Sequence, residues 1–137
     1  MELEIMKMTS QGYGLGFIDG KAIFLPMSYK GEVHKIELLE QKKNHCFAKS
    51  LERIVSVKER RTPPCPLFGK CGGCQYQDVS YKYQLDIKTE ILIESPLRIG
   101  KIEKSPEPFI TSDCEFHYRN KGSFQVRRGK VGYCYPG

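Results

Sequence analysis

Three cysteines lie in a short segment rich in glycine and proline, and this segment limits the possible folds more than any other. Cys65, Cys71 and Cys74 have the spacing Cys-x5-Cys-x2-Cys, with Gly72 and Gly73 between the last two. A Cys-x2-Cys pair can place two sulfurs on one metal centre. Glycines permit positive φ and let backbone amides face those sulfurs. A core strand or helix would not tolerate this composition, so we predict a loop that builds a site.

The other cysteines bear on the cellular compartment. The chain has six in all: Cys46, Cys65, Cys71, Cys74, Cys114 and Cys134. An even count allows three disulfides in a secreted protein. The N-terminus, however, lacks the basic and then apolar regions of a signal peptide, and no apolar run approaches the roughly 20 residues that cross a bilayer. We therefore expect a cytoplasmic protein without membrane contact, in which clustered thiols more often hold a metal.

The charge balance indicates an anionic partner. The chain has 22 Lys and Arg against 16 Asp and Glu, which gives a net charge of +6. Nucleic acid is the first partner to consider for such a chain. The alternative is a soluble protein that happens to be basic. With 137 residues, the chain suits one domain or two very small ones.

The first part of the chain has the pattern of a small β-barrel. Apolar and acidic residues alternate over 2–8, which predicts a strand with one buried face. Residues 12–16 have the spacing Gly-x-Gly-x-Gly, but a dinucleotide site needs a helix directly after its glycines. Asp19-Gly20 follows instead, between two apolar runs, and predicts a hairpin turn. We therefore interpret these glycines as strand bends at a barrel corner.

Further short strands complete the predicted barrel. They are expected over 33–39, 46–50 and 53–57, with Cys46 and Ala48 on the inner face. Five short strands with glycine corners in fewer than about 60 residues are typical of a small OB-like barrel. The predicted fold is therefore mostly β with one helix, and residues 1–58 form the barrel.

One helix is predicted after the cysteine loop, which we place at residues 59–77. Asp78 fits an N-cap for a helix over 79–93, and Pro96 is expected to end it. The apolar face of that helix is expected to comprise Tyr81, Leu85, Lys88 and Leu92. From Cys114 the pattern is strand-like again, with a turn at Arg128-Gly129-Lys130. Such a hairpin lacks the partners that a stable sheet needs, so residues 78–137 are predicted to hold a helix and the start of an incomplete domain.

In this order, the motifs resemble the N-terminal part of the iron–sulfur-containing RNA uracil-C5 methyltransferases. Four blocks carry the resemblance: 12–25 with Gly31-Glu32; Cys65 to Gln75; Gln77, Tyr81, Gln84, Leu85 and Lys88; and 118–121 with Phe124, Gly129 and Gly132. The first block resembles the TRAM domain, an RNA-binding OB-like barrel. The last block resembles the start of the family's central domain, which has an α/β fold.

The resemblance implies a four-iron four-sulfur cluster on Cys65, Cys71 and Cys74. We expect its role to be structural, because metal binding adds free energy to folding, with a redox or regulatory role as the alternative. The family's fourth cysteine has no match here, so Cys134, Cys114 or a small molecule would have to replace it, or the site would stay incomplete. Zinc is the alternative metal, since three cysteines and one more Cys or His make a closed tetrahedral site. A loop of free or disulfide-bonded thiols is the remaining alternative.

The resemblance also implies RNA as the partner, with rRNA considered before tRNA, and a monomeric protein. The residues predicted to contact RNA are Tyr13, Lys30, Lys42, Lys43, Arg119 and Lys121. Tyr13, flanked by glycines, is the best candidate for stacking on a base. Phe17 and Phe24 are expected in the core. The histidines His34, His45 and His117 are each expected to be surface or hydrogen-bonded residues.

No catalytic residue is predicted in this chain. In the family, the S-adenosylmethionine site, the nucleophilic cysteine that attacks C6 of uridine and the general base belong to a downstream methyltransferase domain, which is expected to be absent here. The first hypothesis is therefore the RNA-recognition and cluster-bearing portion of such an enzyme, not catalytic by itself. The second is a free-standing RNA-binding module with a structural metal loop.

Overall fold

The computed structural model describes residues 1–133. Its elements in chain order are β1 Glu2–Glu4, β2 Lys7–Met8, β3 Gly14–Ile18, β4 Lys21–Leu25, β5 Val33–Gln41, β6 His45–Val55, α1 Tyr81–Gly100, β7 Gln125–Arg127 and β8 Lys130–Gly132. The prediction of a mostly β chain with one helix is confirmed. No helix in this described part combines the length and apolarity needed to cross a membrane.

The first six strands close into a barrel. Their order in the sheet is β1-β5-β6-β4-β3-β2, so the two edges are consecutive pieces of one segment. Within that segment, the Ile5 N–H donates to Glu32 O at 2.9 Å and the Met6 N–H donates to Leu15 O at 2.9 Å. The predicted single strand over 2–8 is therefore split, because it changes partner from β5 to β3 between these two residues.

The β3–β4 hairpin confirms the predicted turn and shows why glycines occur on β3. Asp19 and Gly20 both have positive φ, 49° and 76°, as a two-residue hairpin turn requires. A Cβ at Gly16 would lie 2.2 Å from Glu4 O, and one at Gly14 would lie 2.1 Å from Ser28 Oγ. Glycine at these two positions therefore allows β1 and the segment after β4 to cross close to β3.

The barrel core is made of aliphatic residues and Cys46. Its buried members are Leu3, Ile5, Ile23, Leu25, Ile36, Cys46 and Ala48. The predicted inward orientation of Cys46 and Ala48 is confirmed. The two strands predicted over 46–50 and 53–57 are one strand, because β5 pairs with β6 along its whole length through several bulges.

The prediction that Phe17 and Phe24 lie in the core is wrong. Phe17 is 49% exposed, near the tip of the β3–β4 hairpin. Phe24 is half-buried on the outer side of β4, because its neighbours Ile23 and Leu25 face inward. Successive side chains along a strand lie on opposite faces, so Phe24 cannot face the barrel interior together with Ile23 and Leu25.

Helix α1 packs against the barrel through a second buried cluster that contains Met8, Tyr29, Val79 and Ile87. Two ion pairs border this contact: Lys30 with Glu90 at 3.0 Å, and Lys7 with Glu94. The predicted apolar face is wrong, since Ile87 is the buried residue and Leu92 is 44% exposed. The set of side chains that contains Ile87 and the predicted set that contains Leu92 both have helical spacing. The set with Ile87 is buried because it packs against Tyr29.

Both predicted ends of the helix also differ from the structure. Ser80 is the N-cap and accepts a hydrogen bond from the Tyr83 N–H, while Asp78 is buried in an ion pair with Arg60. Pro96 lies inside α1, which continues to Gly100 and is followed by Lys101 in a left-handed conformation. A proline removes one hydrogen bond from a helix, and here that loss does not end it.

The residues after α1 are mostly exposed. Residues 101–124 contain no helix or strand, and β7 and β8 then pair as a two-stranded antiparallel sheet. The predicted turn between them is confirmed, with Arg128 and Gly129 at φ values of 49° and 74°. Val126 and Val131 pair across this hairpin and are 69% and 68% exposed.

Candidate nucleic-acid interface and cysteine loop

Four rings cluster on the outside of the barrel, and we call this cluster the aromatic face: Tyr13, Phe24, His45 and Phe47. β4 and β6 are parallel neighbours, and Phe24 lies opposite Phe47. Their ring centroids are 5.5 Å apart, and the Tyr13 and Phe47 centroids are 5.9 Å apart. His45 lies 5.6 Å from both phenylalanine rings. All four side chains are half-buried, so part of this ring surface is accessible to a ligand.

A basic turn borders the aromatic face. The Lys42 ammonium lies 5.8 Å from the Phe47 ring centroid, and Lys42 also pairs with Glu40 at 3.6 Å. Lys43 follows it in the same turn and is exposed. Aromatic rings beside lysines are the combination with which proteins bind single-stranded nucleic acid, because bases stack on the rings and the cations contact phosphates.

The structure brings only some of the predicted RNA contacts together. Tyr13 and Lys42 both contact Phe47, whereas Lys30 pairs with Glu90 of α1. The predicted Arg119 lies beside Tyr118, with 6.0 Å between its guanidinium carbon and the ring centroid. Lys121, also predicted, is exposed in the irregular segment before β7.

Sequence reasoning missed Phe47 and the grouping of His45 with it. Both residues alternate with Cys46 and Ala48 along β6, so the inward prediction for Cys46 and Ala48 already implied that Phe47 and His45 face outward. That alternation was the available signal. The contact with Phe24 depends on the parallel pairing of β4 with β6, which the sequence does not state.

The cysteine loop is a series of tight turns. The Phe68 N–H donates to Cys65 O at 3.1 Å, and the Cys71 N–H donates to Leu67 O at 2.9 Å. Two sulfurs accept hydrogen bonds: Cys71 Sγ from the Gly73 N–H at 3.4 Å, and Cys74 Sγ from Gln77 Nε2 at 3.0 Å. The predicted loop is thus present, and all three of its cysteines are free thiols.

The loop borders a cleft shared with the barrel. Cys71 and Cys74 line it together with Tyr13 and Met27, and its volume is about 130 Å³. Cys65 is not among the lining residues. Within residues 1–133, no three Cys, His, Asp or Glu side chains converge as metal ligands would. The three thiols of the loop therefore do not converge on one point in this structure.

The fourth ligand is not identified by this arrangement. Cys114 is exposed in the segment after α1. Cys134, the other cysteine considered as a replacement, lies outside the described residues.

A buried ionic network anchors both ends of the cysteine loop to the barrel. Arg60, at the start of the loop, donates through Nε to Glu32 Oε1 at 2.8 Å and through Nη2 to Glu32 Oε2 at 2.7 Å. Its Nη1 pairs with Asp78, after the loop. Two backbone hydrogen bonds join the same two ends of the loop: the Arg61 N–H donates to Asp78 O at 2.8 Å, and the Ser80 N–H donates to Glu59 O at 2.9 Å. The loop is therefore held as a closed unit on the barrel.

Tyr29 and His34 complete this network. Tyr29 Oη donates to Asp78 Oδ1 at 2.5 Å, and the Arg60 guanidinium lies 4.4 Å from the Tyr29 ring centroid. His34, 2% exposed, is hydrogen-bonded to Glu32 at 3.1 Å and to Ser50 at 2.8 Å. Of the two predicted alternatives for His34, surface or hydrogen-bonded, the hydrogen-bonded one is confirmed. The network around His34 was not predicted from the sequence.

The network shifts the ionisation of its members. Burial opposes the charge on Glu32, but hydrogen bonds from Arg60 and His34 outweigh burial and lower the pKa of Glu32 from 4.5 to about 2. Burial and the hydrogen bond to Asp78 raise the pKa of Tyr29. The carboxylate of Glu32 is therefore ionised in the folded protein at neutral pH, opposite a charged Arg60.

Acid is expected to remove the stability contributed by Glu32. Because its folded pKa is lowered, this contribution is present above pH 4.5 and is lost as the pH falls toward 2. A shift of this size corresponds to about 3 kcal/mol. Urea unfolding from pH 7 to pH 2.5 should show the free-energy difference between wild type and Glu32→Gln shrinking with acid. Glu37→Gln, at an exposed ion pair with Lys49, is the control. A difference that stays constant with pH would contradict the prediction.

Comparison with known proteins identifies the relatives of this chain. No protein-family model matches it. It is 37% identical over 134 residues to an uncharacterized RNA methyltransferase of Aquifex aeolicus, covering 97% of this chain and 32% of that protein. It is 36% identical over 132 residues to an uncharacterized RNA methyltransferase of Thermotoga maritima, covering 96% and 30%.

A solved structure agrees with these relatives. The fold matches the Pyrococcus abyssi tRNA (uracil-54, C5)-methyltransferase, determined in complex with S-adenosyl-L-homocysteine, with a TM-score of 0.61 and 27% identity. The match covers 97% of this chain and 29% of that one. Over nearly its whole length, the chain is similar to part of these RNA methyltransferases. The resemblance to RNA uracil-C5 methyltransferases inferred from the sequence is confirmed. This chain spans about a third of the length of the RNA methyltransferases that it matches.

Proposed function

We propose that this chain is the RNA-recognition portion of an S-adenosylmethionine-dependent RNA (uracil-C5) methyltransferase. In this proposal, residues 1–58 are a TRAM-like barrel, 59–77 the cysteine loop and 78–137 the helix with the start of a central domain. The support is that its relatives are RNA methyltransferases and that the matching structure is a tRNA uracil methyltransferase with S-adenosyl-L-homocysteine. No residue of this chain is assigned to the chemical step.

The observation that carries RNA recognition is the aromatic face beside a basic turn. Phe47 is its centre, in contact with Tyr13, Phe24 and Lys42. Rings that pack on one another in the outer wall of a barrel contribute nothing to the inner core, which is already filled by aliphatic residues. Partly exposed rings in such a cluster offer flat surfaces to unpaired bases, and each base stacked on them adds binding energy.

Replacing Phe47 with alanine is expected to weaken RNA binding strongly. Stacking contributes about 1–3 kcal/mol per base, which corresponds to about a 5- to 150-fold loss of affinity. Fluorescence anisotropy with a labelled single-stranded RNA of about a dozen nucleotides measures it. Phe17→Ala is the matched control, because Phe17 is an exposed ring on the same barrel outside the aromatic face. Equal affinity of the Phe47→Ala and wild-type proteins would refute the assignment of this face.

The same binding assay tests the basic turn. If Lys42 and Lys43 contact phosphates, affinity falls steeply as salt is added, and the Lys42→Ala, Lys43→Ala double variant shows a shallower salt dependence. Comparing an rRNA loop with a tRNA as ligand tests the substrate. The resemblance favours rRNA as the substrate, whereas the matching structure belongs to a tRNA methyltransferase.

The alternative function is a free-standing RNA-binding module with a structural metal loop. Both proposals expect this chain alone to transfer no methyl group, so methylation by the isolated chain would refute the domain assignment itself. The reading frame beyond Gly137 separates them. A methyltransferase domain there supports the first proposal, and a natural stop codon supports the second.

The cysteine loop is proposed to hold a four-iron four-sulfur cluster, with zinc as the alternative metal. Support comes from the spacing of Cys65, Cys71 and Cys74, and from the N–H groups that face two of the sulfurs. Binding would require Cys65 to join the other two thiols at the cleft. We expect anaerobic purification to give iron and acid-labile sulfide that are lost in Cys71→Ser and kept in Cys46→Ser, whose buried thiol lies in the barrel core. Stoichiometric zinc without sulfide would overturn the cluster.

A further inference from the structure

A short turn before β3 determines where Tyr13 of the aromatic face lies. The Gly12 N–H donates to Thr9 O at 2.9 Å, and the Thr9 N–H donates to Tyr13 O at 2.9 Å. The Tyr13 N–H also donates to Thr9 Oγ1 at 3.1 Å. Gly12 has a φ of 82°, which suits glycine in such a turn. Any shift of this turn therefore moves the Tyr13 ring relative to Phe47.

Gln75, the residue after Cys74, holds this turn from the cysteine loop. Its Nε2 donates to Gln11 O at 2.6 Å. Its amide carbon lies 2.8 Å from the place where a Cβ on Gly12 would stand, so the Gln75 side chain packs directly on the Gly12 backbone. Its own carbonyl oxygen lies 3.4 Å from Tyr29 Oη, which places its backbone beside the buried network.

The cleft described above lies at the same junction. Tyr13, Cys71, Cys74 and Gln75 all line it. A group attached to either sulfur would enter the cleft and press on Gln75 or on the turn that carries Tyr13. The Gln75 amide contacts the Gly12 backbone directly, so a displacement of Gln75 is passed on to the turn.

We infer that Gln75 is a positioning residue that couples the cysteine loop to the aromatic face, so that the occupancy of the loop thiols sets the RNA affinity of the barrel. The inference rests on the proposed function, since it requires RNA to bind the aromatic face. Gln75 itself need not touch RNA. Its amide fixes the turn at Gln11 and Gly12, and the turn presents Tyr13 beside Phe47.

The test combines a substitution with chemical modification of the thiols. Gln75→Glu keeps the size of the side chain and replaces the donor with a carboxylate oxygen, which repels Gln11 O. A Cys114→Ser, Cys134→Ser background confines N-ethylmaleimide to the cysteine loop, since Cys46 is 1% exposed. Affinity for a labelled single-stranded RNA is measured with and without the reagent, in the presence and absence of Gln75→Glu. Gln84→Glu is the matched control, because Gln84 in α1 also donates to a backbone carbonyl, Val79 O just before the helix, at 3.2 Å.

We expect Gln75→Glu and thiol modification each to weaken RNA binding, and their combination to weaken it little more than either change alone. Losing one hydrogen bond corresponds to about a fivefold weaker affinity for Gln75→Glu. Modification by N-ethylmaleimide should weaken the background protein at least as much, and should add little once Gln75→Glu is present. Hydrogen exchange of the peptide containing residues 9–13 should speed up in the same two cases and not in Gln84→Glu, which gives a readout independent of RNA.

Two results would overturn the inference. If modification weakens RNA binding by the same factor with and without Gln75→Glu, or in neither case, Gln75 does not carry the coupling. If exchange in residues 9–13 is unchanged by both treatments, the turn does not respond to the loop. In either case the proposed function still stands if Phe47→Ala binds RNA more weakly than wild type. If Phe47→Ala binds RNA as tightly as wild type, the function and the inference are refuted together.

Discussion

Replacing Arg60 with leucine is expected to destabilise the protein by about 3 to 5 kcal/mol, since removing one partner leaves the other buried charges uncompensated. Arg60 faces two carboxylates, Glu32 at 0% exposure and Asp78 at 7%. Both would remain inside without their cation, and Met27 O would lose the hydrogen bond that Arg60 Nη2 donates at 2.8 Å. Urea unfolding at pH 7, followed by circular dichroism, measures the loss.

Arg98→Leu is the control for this change. Arg98 is exposed in the last turn of α1 and is expected to change stability by no more than about 0.5 kcal/mol. If Arg60→Leu proves as mild as Arg98→Leu, the network is not what holds the cysteine loop on the barrel. A replacement of Glu32, Arg60 and Asp78 together by apolar residues should cost less than Arg60→Leu alone, because no charge is then stranded.

Replacing Gly16 with alanine is expected to disrupt the barrel, at a cost of about 3 kcal/mol or more, because overpacking forces backbone to move. The new methyl group would lie 2.2 Å from the backbone oxygen of Glu4 and 2.7 Å from Leu3 Cδ1. A backbone atom cannot rotate away as a long side chain can, so β1 would have to separate from β3. Thermal unfolding should show a clearly lower midpoint.

Gly132→Ala is the matched control, since no atom lies within 4 Å of the Cβ it would add. It should leave the midpoint of the barrel's unfolding unchanged. A Gly16→Ala protein as stable as Gly132→Ala would show that the closing contact between β1 and β3 is looser than the structure indicates.

The sequence predicted correctly those elements that depend on residues close together in the chain. The Asp19-Gly20 turn was readable because its two residues adopt positive φ in a hairpin of fixed length. The inward orientation of Cys46 and Ala48 followed from alternation along one strand. The cysteine loop was readable from composition alone, since glycines and prolines exclude a regular element there.

The helix shows where local signals were insufficient. Asp78 and Ser80 are both good N-cap residues, and the choice depended on Arg60, which binds Asp78 from a distant part of the sequence. Pro96 is a strong stop signal, yet α1 continues through it to Gly100. Helical spacing alone predicts the wrong apolar face, because contact with Tyr29 of the barrel region buries Ile87.

Residue patterns were enough to predict the resemblance to RNA methyltransferases, the barrel with its hairpin, and the loop in which three thiols lie close along the chain. Each of these depends on residues near one another in sequence, where spacing and backbone preference fix the outcome. The tertiary structure alone decided the aromatic face, the network of Glu32, Arg60 and Asp78, and the contact of Gln75 with Gln11. These contacts join residues far apart in the chain, and they arise because strand pairing and barrel closure bring distant side chains to one place.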